Sequence, residues 1–132
     1  KMDAEVMENG MPLNVLIVDD NEQTLTLVSK ILELDGYKVE FASNAADAFR
    51  LVKTRMPDLA ILDVMMPDMN GYELCKSLRQ DPYNASMPVL ILTAEGNDLD
   101  KQHALACGAN DLLTKPFNLD ELRKRVKALV SI

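Results

Sequence analysis

Apolar residues gather into five short runs: "NVLIV" at 14–18, "KVEFA" at 38–42, "DLAIL" at 58–62, "PVLIL" at 88–92 and the shorter "DLLT" at 111–114. Three are almost wholly apolar, which predicts strands covered on both faces, as in a parallel sheet. Between the runs the apolar period lengthens to that of a helix. Leu25, Val28, Ile31 and Leu32 form the stripe of a helix from about Glu22 to Asp35, stopped at Gly36. Ala48, Leu51 and Val52 mark a second from about Ala45 to Arg55, with "SN" ahead of it as an N-cap. A third is expected after "NGYEL" (70–74), ending near Gln80 before the loop "DPYNASMP". A fourth covers roughly Asp98 to Cys107 and ends at Gly108, and a fifth, capped by Asn118, covers Leu119 to Val130.

Five βα units in succession predict an α/β sandwich, because each parallel crossover is a right-handed connection through a helix. In such sheets ligands bind beyond the carboxyl ends of the strands, so chemistry is sought there. With 132 residues, 48% of them hydrophobic, one domain fits and a second does not. Residues 1–12, with "KMDAEVMENGM" at their start, read as a loosely held tail before a domain over 13–132.

A formal charge of -7 argues against direct nucleic-acid binding and against an anionic membrane surface. The two cysteines, Cys75 and Cys107, lie in helix-like stretches without metal or redox spacing. No apolar stretch approaches the ~20 residues of a membrane helix, and the start of the chain does not resemble a signal peptide. The expectation is a soluble, reduced, cytoplasmic protein.

The polar interruptions of the apolar runs fall at one edge. Asp19 and Asp20 end the first run, Asp63 follows the third, Thr93 the fourth and Lys115 the fifth. Parallel strands place these positions together, so three carboxylates, a hydroxyl and an ammonium are expected to share one acidic pocket. Such oxygen donors suit a hard divalent cation, Mg²⁺ or Mn²⁺, which also relieves the repulsion between carboxylates. Asp63 stands apart from the adjacent pair and is the best nucleophile toward a phosphoryl group. Lys115 and Thr93 are placed to contact phosphoryl oxygens. Taken singly, each residue has an ordinary explanation: Asp19 and Asp20 as a helix cap, Thr93 as a loop cap, Lys115 as a surface lysine. The joint pattern is what argues for a site. His103 reads as helix surface, and Met65, Met66 and Met69 as fillers of irregular gaps rather than soft-metal ligands.

"VLIVDDN", "DLAILDVMMPDMNGYEL", "PVLILTA" and "GANDLLTKPF", in this order and spacing, resemble the receiver domain of bacterial two-component response regulators over about residues 13–130. The resemblance implies a flavodoxin-like (βα)5 three-layer sandwich with a five-stranded parallel sheet in the order 2-1-3-4-5. It implies a regulatory domain rather than an enzyme: a phosphorelay switch whose phosphoacceptor is Asp63, with a sensor histidine kinase or histidine phosphotransfer protein as donor. Asp20, Asp63 and the backbone carbonyl of Met65 match direct Mg²⁺ ligands, and Asp19 matches one acting through water. Thr93 matches the switch hydroxyl and Lys115 the phosphate-binding lysine, with a cis peptide before Pro116. A homodimer through the fourth helix, fifth strand and fifth helix is also implied.

One departure stands at Leu112, where many receivers carry an aromatic residue coupled to the threonine. Switching is therefore expected to rest more on the loop after Thr93, where Gly96 offers a joint, and on the fourth helix. Met65 and Glu95 match positions flanking the path of the hydrolytic water. Two other readings compete. A phosphohydrolase of similar fold needs a second acid two residues past its nucleophile, where Met65 stands. A pseudo-receiver scaffold would not retain every acidic-pocket residue.

Overall fold

The structure, a computed structural model, describes residues 7–8 and 11–131. Five strands, β1 (Asn14–Val18), β2 (Lys38–Ala42), β3 (Leu59–Asp63), β4 (Val89–Thr93) and β5 (Asp111–Thr114), form one sheet in the order β2-β1-β3-β4-β5. Every pairing is parallel, as the mostly apolar central runs predict. The crossovers are the helices α1 (Glu22–Leu34), α2 (Ala45–Arg55), α3 (Gly71–Arg79) and α4 (Asp98–Cys107), and α5 (Leu119–Val130) follows the last strand. The expected flavodoxin-like order is the one observed.

Alternation along the strands divides the core. Val15, Ile17, Leu59, Ile61, Leu90 and Leu92 face α1 and α5, meeting Leu25, Val28, Leu32, Leu122, Val126 and Leu129. Their neighbours Leu16, Val18, Ala60, Leu62, Val89 and Ile91 face the other way, onto α2, α3 and α4 through Ala48, Leu51, Leu74, Leu78 and Cys107. A period of two in the strands and 3.6 in the helices thus makes three layers with two apolar seams. Edge strands β2 and β5 are less buried than the three central ones, which matches their more polar runs.

The central strands β3 and β4 and the helix α3 have boundaries that differ from the sequence expectation. Asp63 and Thr93 are the last residues of β3 and β4 rather than the first beyond them: Asp63 pairs with Leu92 and Thr93 with Thr114. The ladder continues past them, Val64 donating its N–H to the Leu92 carbonyl, so both polar side chains stand on sheet rather than loop. Helix α3 starts at Gly71, inside "NGYEL" rather than after it, because Asn70 and Glu73 form a reciprocal capping box. The expected tail over residues 1–12 lies mostly outside the described residues; within it Met7–Glu8 pairs antiparallel with Met11–Pro12. Among the described residues no helix is long and apolar enough to cross a membrane.

Candidate functional site

The carboxyl ends of β1, β3 and β5 converge on a cluster of acids. Asp19 follows β1 and is fully buried; Asp63 ends β3 and is nearly so; Asp20 is exposed. One carboxylate oxygen from each lies within 4.8 Å of the others. Lys115 reaches in from beyond β5, its Nζ donating to Asp19 Oδ2 at 2.7 Å and standing 3.1 Å from Asp63 Oδ1. A cis peptide joins Lys115 to Pro116, and the Lys115 N–H donates to the Thr93 carbonyl, which ties the lysine's backbone to the end of β4.

Both Asp19 oxygens are occupied, Oδ2 by Lys115 and Oδ1 by the N–H of Asn21 at 2.9 Å. Asp20 faces solvent beside it. Burial, with the Asp19 charge adding to it, pushes the Asp63 carboxyl up to about 6 against the opposing pull of Lys115. Burial alone would depress the Lys115 ammonium, but its bonds to Asp19 and Asp63 outweigh that and hold it above the usual lysine range. Three carboxylates therefore share a single ammonium, a surplus of negative charge at a partly dehydrated spot.

The loop after Asp63 is tightly specified. Gly71 donates its N–H to the Val64 carbonyl, and a Cβ at Gly71 would run into the backbone carbonyl of Asp63, so no side chain fits there. Farther along the loop, Asp68 accepts from the N–H groups of Ala45 at 3.0 Å and Ala46 at 3.2 Å, pinning the loop to the start of α2. Those bonds hold the Asp68 carboxyl below the usual carboxylate range.

Thr93 is placed at the expected strand end, yet its hydroxyl is turned toward α4 and donates to Asp100 Oδ2 at 3.1 Å. The same oxygen accepts from the Gly96 N–H at 2.9 Å, and Tyr72 of α3 donates to Oδ1 at 3.0 Å. Burial works to raise the Asp100 carboxyl, but these donors prevail and leave it below the usual range. Burial, reinforced by Asp100, pushes the Tyr72 phenol up to about 12. Gly96 takes φ +65°, and a Cβ there would meet the Thr114 side chain, so the joint expected at Gly96 is also a close approach.

Asp68, Asp100 and Tyr72 were not among the residues singled out from the sequence. Their partners come from elements 22, 7 and 28 residues away, and only Asp100, in the first turn of a capped helix, carried any local signal. The Met65 side chain is 72% exposed and fills no gap, whereas Met66 and Met69 pack against the α2–α3 side of the core. Glu95 is exposed and accepts from Asn97 Nδ2; Leu112 packs partly into the core. His103 is exposed, as expected of a surface position, and stacks on Tyr72 with ring centroids 5.2 Å apart.

A buried carboxylate at the centre of a sheet's carboxyl edge, flanked by two acids and a lysine, is arranged to hold a cation and present a nucleophile. The family model for the response regulator receiver domain matches residues 15–127. The chain belongs to the response regulator receiver family. It is 43% identical over 120 residues to the alkaline phosphatase synthesis transcriptional regulatory protein PhoP of Bacillus subtilis, an alignment covering 91% of this chain and 49% of that protein. It is 39% identical over 116 residues to the phosphate regulon regulator PhoB of Rhizobium meliloti, covering 88% and 51%. The chain spans about half the length of the curated relatives it matches.

Solved structures agree. A response regulator from Chloroflexus aurantiacus superposes with a TM-score of 0.88 at 38% identity, covering 92% of this chain and 99% of that one. The receiver domain of a histidine kinase from Syntrophus aciditrophicus gives 0.83 at 39% identity, with 89% of each chain covered. Receiver domains are phosphoryl-accepting regulatory switches of two-component systems rather than enzymes in their own right.

Proposed function

We propose that Asp63 is the phosphoacceptor of this receiver and that a histidine kinase or histidine phosphotransfer protein is its donor. The observation that carries the reading is the Lys115 ammonium lying against both Asp19 and Asp63, with three carboxylates within 4.8 Å of one another. An Asp63 oxygen attacks phosphorus, a P–O bond forms, the P–N bond to the donor imidazole breaks, and that imidazole departs with its electron pair. Lys115 faces the charge that develops on the phosphoryl oxygens, and its reach to Asp19 keeps it aligned for this.

The donor set is all hard oxygen, which fits Mg²⁺ and, less selectively, Mn²⁺. Asp20, Asp63 and the Met65 carbonyl would hold the ion, with Asp19, whose oxygens are both engaged, acting through water. Bound there, the ion supplies positive charge that offsets the carboxylate surplus and the phosphoryl charge. Met65 and Glu95 flank the approach of hydrolytic water, so Met65→Asn is expected to change the lifetime of the phosphorylated form.

The output face is proposed as α4, β5 and α5, where a second copy of the chain would dock. Leu99 and Leu105 are exposed on α4, and the Arg125–Asp111 ion pair joins α5 to β5. Light scattering of the beryllofluoride-treated protein, with Leu105→Glu as a control, tests this. The phosphoacceptor reading is tested by incubating the protein with acetyl phosphate. Intact mass is expected to rise by one phosphoryl group with Mg²⁺ present and not with chelator, and Asp63→Asn is expected to stay unmodified. An unmodified parent would favour a scaffold without phosphorylation.

A further inference from the structure

Asp100 joins four parts of the molecule through one carboxylate. It sits in the first turn of α4, its own N–H donating to the Asn97 cap at 2.9 Å. Its oxygens accept from the end of β4 (Thr93), the β4–α4 loop (Gly96) and α3 (Tyr72). Asp100 is thus the point at which the switch hydroxyl and the fourth helix are physically tied.

Thr93 is 3% exposed, so its hydroxyl has little access to water and depends on a protein or ligand partner. A hydroxyl carries one proton and can donate to one strong acceptor at a time. In this structure that acceptor is Asp100. A phosphoryl group on Asp63, at the neighbouring strand end, presents a second anionic acceptor for the same proton. Donation to one excludes donation to the other. Leu112 offers no polar group to take over the hydroxyl's place, so the exchange of anionic acceptors falls between Asp100 and the phosphoryl oxygens, with the Tyr72 phenol, itself bonded to Asp100, also within reach of the hydroxyl.

We propose that Asp100 is a positioning residue that holds the Thr93 hydroxyl on α4 in the unphosphorylated protein, competing with the phosphoryl group for it. This rests on the assignment of Asp63 as phosphoacceptor. Phosphorylation withdraws one of three donors from Asp100, leaving Gly96 and Tyr72, and α4 is released from the end of β4. Removing the Asp100 carboxylate removes the competitor, so the phosphorylated conformation becomes easier to reach.

Beryllofluoride with Mg²⁺, a mimic of the phosphoryl group, serves as the probe in a double-mutant cycle. Asp100→Ala is expected to bind it about three- to tenfold more tightly than the parent, the size of one net hydrogen bond. In a Thr93→Ala background the same change is expected to alter affinity less than about twofold, because no hydroxyl remains to compete for. A general loosening of the loop would act in both backgrounds. Equal effects in the two backgrounds, or no tightening in the first, overturn the proposal. Should Asp100→Ala fail to give the circular dichroism of the parent, Asp100→Asn carries the test. It keeps an acceptor for Gly96 but loses the charge, so a smaller tightening in the same direction is expected, and none overturns the proposal. A parent that binds no beryllofluoride would instead sink the Asp63 assignment, and this inference with it.

Discussion

At the amino end of the sheet, Asn14 and Asp58 exchange hydrogen bonds at 2.7 Å, Asn110 Oδ1 accepts from Val89, and Arg79 donates to the carbonyls of Gly108 and Asn84 and to Asn110. The charged groups among these, Asp58 and Arg79, are each taken up by hydrogen bonds, while one buried acceptor, Asn14 Oδ1, is left without a partner. At the carboxyl end, Asp19 and Asp63 are buried beside Asp20 and a single ammonium. The same strands thus begin among polar and charged groups satisfied by hydrogen bonds that close the layers, and end in crowded like charges that work against the fold. Such a concentration of unfavourable charge persists where a ligand relieves it, which is why the chemistry is read at one end and the stability at the other.

That contrast breaks first at Lys115. Replacing it with Ala leaves Asp19 and Asp63 without their cation and is expected to cost about 2 to 3 kcal/mol in metal-free urea unfolding at neutral pH, somewhat under a fully buried pair because the lysine is 26% exposed. The deficit should narrow toward pH 5 as Asp63 takes up a proton.

Asp63→Asn should move stability the other way. The Asp63 carboxyl titrates near 6 in the fold against 3.8 for the ordinary group, so its stability contribution is complete below about pH 4 and is lost as pH rises through 6. Metal-free Asp63→Asn is expected to be more stable than the parent by about 1 to 2 kcal/mol at pH 7.5, with the gain vanishing by pH 4. By the same titration, Mg²⁺ affinity of the parent should fall as pH drops through 6, measurable by calorimetric titration.

At the amino end, Arg79→Ala removes three hydrogen bonds and is expected to cost about 1 to 2 kcal/mol while leaving Mg²⁺ affinity within error of the parent. The smallest stability effect is reserved for Asp20→Asn, an exposed change expected to stay within about 0.5 kcal/mol in the metal-free protein. Its Mg²⁺ affinity should nonetheless drop about tenfold or more. An unchanged affinity would return Asp20 to the role of a helix-start acid.

The strands, the helices and the cover on both faces of the sheet were legible because the central runs are almost wholly apolar and the helices keep their stripes. The strand order, by contrast, came from the resemblance to receiver domains and not from periodicity. The gathering of Asp19, Asp20, Asp63 and Lys115 followed from parallel strands ending at a common edge. The direction of the Thr93 hydroxyl did not follow. A threonine at a strand end can rotate toward the pocket or toward α4, and which it chooses depends on Asp100, seven residues on and across a loop whose turn at Gly96 no periodicity describes. The start of α3 was misjudged for a related reason: "NGYEL" carries a Gly that weakens a helical reading, yet that Gly is present because the Asp63 carbonyl packs against it. Asp68 escaped notice because it caps another helix, not its own.

The assignment of the carboxyl end is tested most directly by locating the phosphoryl group itself. Protein phosphorylated by acetyl phosphate in Mg²⁺ can be reduced with borohydride, digested and sequenced by tandem mass spectrometry. A single reduced residue at Asp63, lost when Mg²⁺ is chelated, is the expected result. Reduction at Asp19, Asp20 or any residue away from this edge would contradict it.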